Sequence, residues 1–281
     1  MRNRFIVILS LFIFSCQKED SSFIYKAQFA KEGAFEVEIF DVETDSDVPY
    51  LIVAPKDIEE PLPVVVWGNG TDAEPKEYTE LFKHIASHGF LVIDTYSVTT
   101  GTGQEISDAI DMIFKETVDT ASLLYHYADT NFLAVAGHSQ GSTGVINSYT
   151  NFHQQARIKT IVSIALPALK WCDPEDVYDA AKIEVPFLIL GGEKDFIISP
   201  TATNEQAFDL LSAVVPGCML ILHDAGHLEI QGNGGNYRGF LTAWLQYIST
   251  NGASSRKVFA TKDAEIYQSP LIKSVGSKNL N

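Results

Sequence analysis

The stretch that most limits how this chain can fold is residues 132–141, with the sequence FLAVAGHSQG. Its first five residues are apolar without interruption, which is typical of a buried strand in a parallel sheet. The remaining residues fit the pattern G-x-S-x-G, in which a serine occupies a sharp turn between a strand and a helix. Gly137 and Gly141 lack side chains, so the turn can close and the helix can pack against the strand. The pattern predicts that the Ser139 hydroxyl stands clear of the sheet, above a helix N-terminus that favours negative charge.

Apolar runs of strand length recur along the chain and alternate with stretches of helical periodicity. An antiparallel pair comes first and six strand–helix units follow, with strands near residues 35–40, 50–54, 64–67, 90–93, 132–136, 160–165, 187–190 and 219–222. Alternating strands and helices are typical of a mostly parallel sheet with helices on both faces. We therefore predict an α/β fold with an eight-stranded, mostly parallel sheet.

Two further residues with catalytic chemistry follow the ends of later predicted strands. Asp195 comes just after the strand at 187–190, and His227 just after the strand at 219–222. Because the carboxyl ends of parallel strands meet at one edge of a sheet, we expect both side chains to lie near Ser139. Serine is a poor nucleophile until a base takes its proton, and that base needs an acid to orient it. The chain order of serine, acid and histidine predicts a catalytic triad of Ser139, Asp195 and His227.

Other residues near these strand ends compete for the same roles. His223 is the alternative base, although it ends its strand too early, and Asp173 and Asp224 are the alternative acids. His138 directly precedes the serine, and we expect it to point away from the site if Ser139 points into it.

A tetrahedral intermediate on Ser139 carries a negative oxygen, which needs N–H donors that are already in place. One donor should be the backbone of Gln140, directly after the nucleophile. The second should come from the loop at residues 68–70, where glycines let the backbone approach a substrate. Within that loop we favour Asn69 over Gly70, although Asn-Gly is also common in plain turns. These residues imply no metal and no organic cofactor.

The interval between the predicted strands at 160–165 and 187–190 has room for one short helix, at residues 174–181, and for no large cap domain. We therefore expect a shallow, open cleft, with Trp67 and Trp171 as its aromatic residues. An open cleft suits short-chain or polymer-borne substrates, because it offers little area for holding a long acyl chain.

The chain is acidic, with 36 Asp and Glu residues against 20 Lys and Arg and a formal net charge of −16. This balance argues against binding of nucleic acid and against adsorption to anionic lipid, since both require basic patches.

A length of 281 residues, 46% of them hydrophobic, suits one α/β domain with tails. We place that domain at residues 31–250, with a C-terminal extension at 251–281 that packs on it. Cys172 and Cys218 are expected to be two free, buried thiols.

The N-terminus is typical of an export signal and not of a folded domain. Two arginines precede an apolar segment, residues 5–14, which is too short to span a bilayer. Cys16 follows in a context that resembles a bacterial lipobox, where the cysteine is lipidated and becomes the mature N-terminus. We predict a signal peptide and lipobox at residues 1–16, a tether at 17–30, and a lipoprotein on a bacterial membrane, facing the periplasm or on the cell surface. The alternative is a soluble secreted protein that is cleaved nearby.

Beyond the turn at Ser139, three further stretches carry a resemblance to a known family. They are LFKHIASHGFLVI at residues 81–93, VPFLIL at 185–190 leading to Asp195, and Gly226-His227 with Gly232, Asn233 and Asn236 beyond. Over residues 35–248 the chain resembles the branch of the α/β-hydrolases that holds bacterial cutinases, polyester hydrolases such as poly(ethylene terephthalate) hydrolase, and plant chlorophyllases. The resemblance implies an α/β-hydrolase fold, ester hydrolysis through an acyl-enzyme, and the triad already named.

The chain departs from polyester hydrolases at several positions near the site. It has Asn69 where they have an aromatic residue in the first oxyanion loop, and Gln140 where they have a methionine after the serine. Their tryptophan after the sixth strand falls at Ala168 here, with Trp171 only nearby. The aromatic clamp for an aromatic polyester is therefore mostly missing.

Together these observations predict an exported, lipid-anchored, monomeric serine hydrolase that acts on carboxylic esters. A thioesterase is the alternative among enzymes. A non-catalytic binding lipoprotein on the same fold is the alternative outside them, although loss of catalysis usually shows as a missing triad residue and each triad position is filled here.

Overall fold

The computed structural model describes residues 28–43 and 48–280. Within them the apolar runs form a nine-stranded sheet in the order β1-β2-β4-β3-β5-β6-β7-β8-β9. The strands are Val37–Val42 (β1), Tyr50–Pro55 (β2), Leu62–Gly68 (β3), Leu91–Thr95 (β4), Ala128–His138 (β5), Ile158–Ile164 (β6), Phe187–Gly192 (β7), Gly217–Leu222 (β8) and Ile272–Lys278 (β9). Strands β3 to β8 pair with one another in parallel, whereas β1, β2 and β9 pair antiparallel. The predicted signal peptide, lipobox and most of the tether lie outside the described residues.

Helices cover both faces of the sheet, which is why its parallel strands are apolar along their length. The α-helices are Thr79–Ser87 (α1), Gln104–Glu116 (α2), Gln140–Asn151 (α3), Thr201–Leu210 (α4), Tyr237–Thr250 (α5) and Ala253–Phe259 (α6). One buried core lies between the sheet and α1, α5 and α6, and a second lies between the sheet and α2, α3 and α4. The predicted α/β architecture, with a mostly parallel sheet and helices on both faces, is confirmed. In the part of the chain that the structure describes, no helix is both long enough and apolar enough to cross a bilayer.

The predicted number of eight strands is corrected to nine, because part of the segment described as a C-terminal extension joins the sheet. β9 pairs with β8 along its whole length, from Ile272 opposite Leu222 to Lys278 opposite Gly217. The sequence pattern of β9 is weak because the strand requires a small residue at position 276. A Cβ on Gly276 would lie 2.7 Å from the buried Phe208 ring. A glycine at this position interrupts the alternation of apolar and polar residues by which a strand is recognised in a sequence.

The connection between β6 and β7 contains two 3-10 turns, Leu169–Trp171 and Ala180–Lys182, and no α-helix among its described residues. The prediction of a short helix at residues 174–181 was therefore wrong. The carbonyl of Asp176, which a helix would use internally, accepts a hydrogen bond from Asn147 on α3 at 3.2 Å. The segment is thus bonded to α3 and lines the cleft beside Ser139, with no α-helix over it.

Candidate active site

Ser139 connects the last residue of β5 to the first residue of α3, and its backbone has φ 54° and ψ −120°. A positive φ is strained for a residue with a side chain. The flanking glycines are required by close packing. A Cβ on Gly137 would lie 2.3 Å from the Gly141 carbonyl oxygen, and one on Gly141 would lie 1.9 Å from that of Gly68. Strand, turn and helix therefore approach so closely that only glycine fits at both places.

Three residues from different strand ends are joined by two short hydrogen bonds. His227 Nε2 lies 2.9 Å from Ser139 Oγ, and His227 Nδ1 lies 2.5 Å from Asp195 Oδ2. Asp195 is 4% exposed, and its other carboxylate oxygen accepts the Ser199 N–H at 3.1 Å. A buried carboxylate bonded to Nδ1 directs Nε2 towards the serine. The structure thus brings Ser139, His227 and Asp195 together at the edge where the sequence places them.

The residues considered as alternatives lie apart from this series. His223 Nδ1 lies 3.0 Å from an oxygen of Glu193, and Asp224 forms an exposed ion pair with a lysine at 2.8 Å. Asp173 lines the cleft, but His227 Nδ1, the nitrogen that would bond to an acid, is already bonded to Asp195.

Among the described residues, no group of three or more His, Cys, Asp and Glu side chains is placed to hold a metal ion. Both described cysteines are free thiols, Cys218 buried and Cys172 half-buried.

Ser139 opens into a cleft of about 340 Å³ with a partly apolar lining that includes Trp171 and Leu228. Trp171 is 51% exposed, and its indole N–H donates to the Ile197 carbonyl at 2.8 Å, which fixes the ring at the rim. The prediction that Trp67 lies near the cleft was wrong. Its side chain is fully buried, because β3 is covered on both faces and its side chains reach only the two cores.

The loop after β3 contributes Gly70, and not Asn69, to the cleft wall. Asn69 is fully buried, and its amide donates to the Thr95 carbonyl at 2.7 Å, which ties this loop to the end of β4. A Cβ on Gly70 would lie 3.2 Å from His138 Nδ1 and 3.4 Å from the Ser139 Cβ, so Gly70 lies directly beside these two residues. Gln140, the other expected donor, begins α3 and lines the cleft.

The Gln140 side chain joins the start of α3 to the opposite cleft wall. Its Nε2 donates to Asp176 Oδ2 at 2.8 Å. Burial raises the pKa of the Asp176 carboxyl, the Gln140 hydrogen bond opposes that rise, and the nearby Asp173 adds to it. The residue after the nucleophile therefore supports the β6–β7 connection, which sequence patterns could not predict, because it depends on a contact across 36 residues.

His138 does not point away from the site, contrary to the prediction. Its Nε2 lies 2.8 Å from the carbonyl oxygen of His227, and its Nδ1 lies 2.9 Å from the Tyr78 hydroxyl. The prediction assumed that neighbours in an extended chain face opposite sides. That rule ends at Ser139, where the positive φ turns the backbone out of the strand. His138 therefore lies on the face of β5 against which Tyr78 packs, and its ring centroid is 5.0 Å from that of His227.

Known proteins resemble this chain in sequence. A family model described as PET hydrolase-like (PETase) matches residues 28–267. The chain is 28% identical to cutinase est2 of Thermobifida alba over 171 residues, which are 59% of this chain and 53% of that protein. It is 26% identical to cutinase 1 of Thermobifida cellulosilytica over 177 residues, or 61% of this chain and 62% of the relative. It is 26% identical to a cutinase of Thermobifida fusca (strain YX) over 177 residues, or 61% and 54%. The chain thus spans about half or slightly more of the length of these curated relatives.

Proposed function

The chain belongs to the family of PET hydrolase-like proteins, and from that membership we propose that it is an exported serine hydrolase of carboxylic esters. One observation carries the proposal: Ser139 and His227, which line an open cleft, form a hydrogen-bonded series with the buried Asp195. Each member has the chemical role that acyl transfer through serine requires.

In the proposed reaction, His227 Nε2 takes the hydroxyl proton of Ser139 while the serine oxygen attacks the ester carbonyl carbon. Asp195 stabilises the imidazolium that forms. The oxyanion of the tetrahedral intermediate accepts hydrogen bonds from the backbone N–H groups of Gln140 and Asn69, because the Gly70 N–H donates to the Tyr78 hydroxyl. When the intermediate collapses, the leaving alcohol takes the proton from His227 and the acyl group stays on the serine. Water, deprotonated by His227, then attacks the carbonyl carbon of the acyl-enzyme. When this second intermediate collapses, the bond to Ser139 Oγ breaks, His227 returns the proton to that oxygen, and the acid is released.

The proposed substrates are short-chain or polymer-borne esters. The described connection between β6 and β7 places no helix over Ser139, so the cleft is open to a bulky or chain-like substrate. Trp171 is the aromatic side chain at the rim, which supports contact with an apolar acyl or alcohol group. A thioester is attacked by the same groups, so a thioesterase is the second candidate on this site.

We also propose that Cys16 is lipidated and that the domain is held at a bacterial membrane as a monomer. The support is the sequence pattern of a basic start, an apolar segment and a cysteine at residues 1–16. Membrane fractionation of the wild type against Cys16→Ser checks this: the wild type should sediment with membranes and the variant should not. An unlipidated mature N-terminus in mass spectrometry would refute the anchor.

A fluorophosphonate probe tests the reaction itself. The wild type should be labelled once, at Ser139, because only an activated serine reacts with the probe. Ser139→Ala should lose both labelling and ester hydrolysis while its thermal unfolding transition is retained. Labelling at another residue, or hydrolysis that survives in Ser139→Ala, would refute the proposed nucleophile. A folded wild type that neither reacts with the probe nor hydrolyses esters would instead support a non-catalytic binding protein.

A further inference from the structure

A chain of hydrogen bonds beneath the cleft links the loop at Gly70 to the loop that carries the base. The Gly70 N–H donates to the Tyr78 hydroxyl oxygen at 3.3 Å, and that oxygen lies 2.9 Å from His138 Nδ1. His138 Nε2 lies 2.8 Å from the carbonyl oxygen of His227. Because a carbonyl oxygen can only accept, Nε2 carries the His138 proton and Nδ1 accepts from the Tyr78 hydroxyl. Every member of the chain therefore has a defined direction of donation.

Both side chains in the middle of this chain are buried and neutral. Tyr78 is fully buried and His138 is 2% exposed. Burial lowers the pKa of His138 to about 3 and raises that of Tyr78 to about 12. The ring centroids of His138 and His227 are 5.0 Å apart. A charged ring at that distance would oppose protonation of the base, whereas a neutral ring does not.

We infer that Tyr78 and His138 are positioning residues, which fix Gly70 and the backbone of His227 at set places on either side of Ser139. The inference rests on the proposed function, since it assigns both residues to the same reaction. They act through Gly70, which lies beside Ser139, and through His227, which takes the proton of that serine.

The two loops that the chain joins come from distant parts of the sheet. Gly70 follows β3 and His227 follows β8, and three strands, β5, β6 and β7, lie between β3 and β8. A shift of about 1 Å between groups in a site can reduce turnover about 10²-fold. A second contact already joins the same regions, since Gly232 donates to the Glu77 carbonyl at 2.7 Å. Loss of the Tyr78 hydroxyl should therefore shift the loops without separating them.

The test compares variants that remove single groups from the chain. Tyr78→Phe removes one hydroxyl and keeps the buried ring, so we expect kcat on a soluble ester to fall roughly 10- to 100-fold. KM should change less than about twofold, because the exposed walls of the cleft are unaltered. His138→Gln keeps an amide N–H for the His227 carbonyl and should retain more turnover than His138→Leu, which keeps neither polar contact. Tyr149→Phe is the matched control: it removes the hydroxyl of a buried tyrosine at the far end of α3, and kcat should be unchanged.

The outcomes separate this inference from the proposed function. An unchanged kcat in folded Tyr78→Phe, or equal losses in His138→Gln and His138→Leu, would overturn the positioning role while the wild type remains an active esterase. If Tyr78→Phe has no cooperative thermal transition, the two His138 variants decide the question. A wild type without ester turnover and without fluorophosphonate labelling would refute the proposed function and the positioning role together.

Discussion

At Ser139 the backbone keeps a positive φ that costs a residue with a side chain about 1–3 kcal/mol. The conformation persists because its surroundings leave no alternative. Gly137 and Gly141 are pressed against neighbouring backbone, and α3 starts immediately after the turn. The strain therefore has a local cause in packing, and its result is a hydroxyl held within hydrogen-bond distance of His227.

The assignment of the base can be checked by removing each histidine of one loop in turn. His227→Ala should lower kcat on a soluble ester by on the order of 10³-fold or more, since the serine then has no proton acceptor. His223→Ala removes the same side chain four residues earlier and should keep turnover close to that of the wild type, because its partner is Glu193. Steady-state kinetics on both purified proteins give the comparison. A larger loss in His223→Ala would show that the base is misassigned.

At the residue scale, the sequence could predict which residues of the site meet because they follow strand ends. It could not predict positions that depend on contacts between distant parts of the chain. Ser139, Asp195 and His227 follow buried strands, and parallel strands end at one edge, so their meeting could be predicted. The position of Gly70 in the cleft wall could not be predicted, because it accompanies an inward turn of the Asn69 side chain, which bonds to the Thr95 carbonyl.

At the scale of elements, β9 shows how packing can weaken the sequence pattern of a strand. Gly276 lies against Phe208, and Lys278 Nζ donates to the carbonyls of Phe208 and Leu211 at 2.8 and 2.7 Å. The Lys278 ammonium, which lies beside the C-terminal end of α4, also complements the dipole of that helix. The strand is thus specified by contacts with α4 and β8, which a local pattern does not contain. The strands with continuous apolar runs, by contrast, could be predicted.

The packing at Gly276 gives a prediction for stability. A methyl group in Gly276→Ala would meet the buried Phe208 ring, so we expect the free energy of unfolding to fall by about 1–3 kcal/mol and Tm to fall by roughly 2 °C or more. Gly226→Ala is the matched control, since a Cβ there meets no atom within 4 Å and Tm should hardly change. Thermal unfolding followed by circular dichroism measures both. Equal Tm values for the two variants would contradict the packing of β9 on α4.

At the scale of the whole molecule, the open edge of the sheet and the distribution of exposed apolar side chains decide access to the site. Trp171 and Leu228, which line the cleft, are 51% and 60% exposed. They belong to the loops that follow β6 and β8, and these strands end at the same edge of the sheet as β5. The rim of the cleft beside Ser139 is therefore partly apolar, and no described helix has to move to expose it.

This access predicts the order of activity on substrates of increasing acyl length. A cleft of about 340 Å³ without a cover offers little area for a long chain, so kcat/KM should be higher for short acyl esters than for long ones. Activity should not surge when a substrate passes from monomers to aggregates, because no lid needs to open. A series of p-nitrophenyl esters from acetate to palmitate, measured below and above their solubility limits, tests both statements. A clear preference for palmitate would contradict the open cleft.

The antiparallel pairing of β9 with β8 also fixes the order in which the sheet can be completed as the chain is made. Synthesis proceeds from the N-terminus, so β8 is available about 50 residues before its partner at Ile272–Lys278. In that interval β8 presents an unpaired edge, which is a template for pairing with other chains. A chain in which β9 has not yet paired therefore exposes this edge of β8 to other chains. Completion of the sheet thus depends on a segment that follows Ser139, Asp195 and His227 in the sequence.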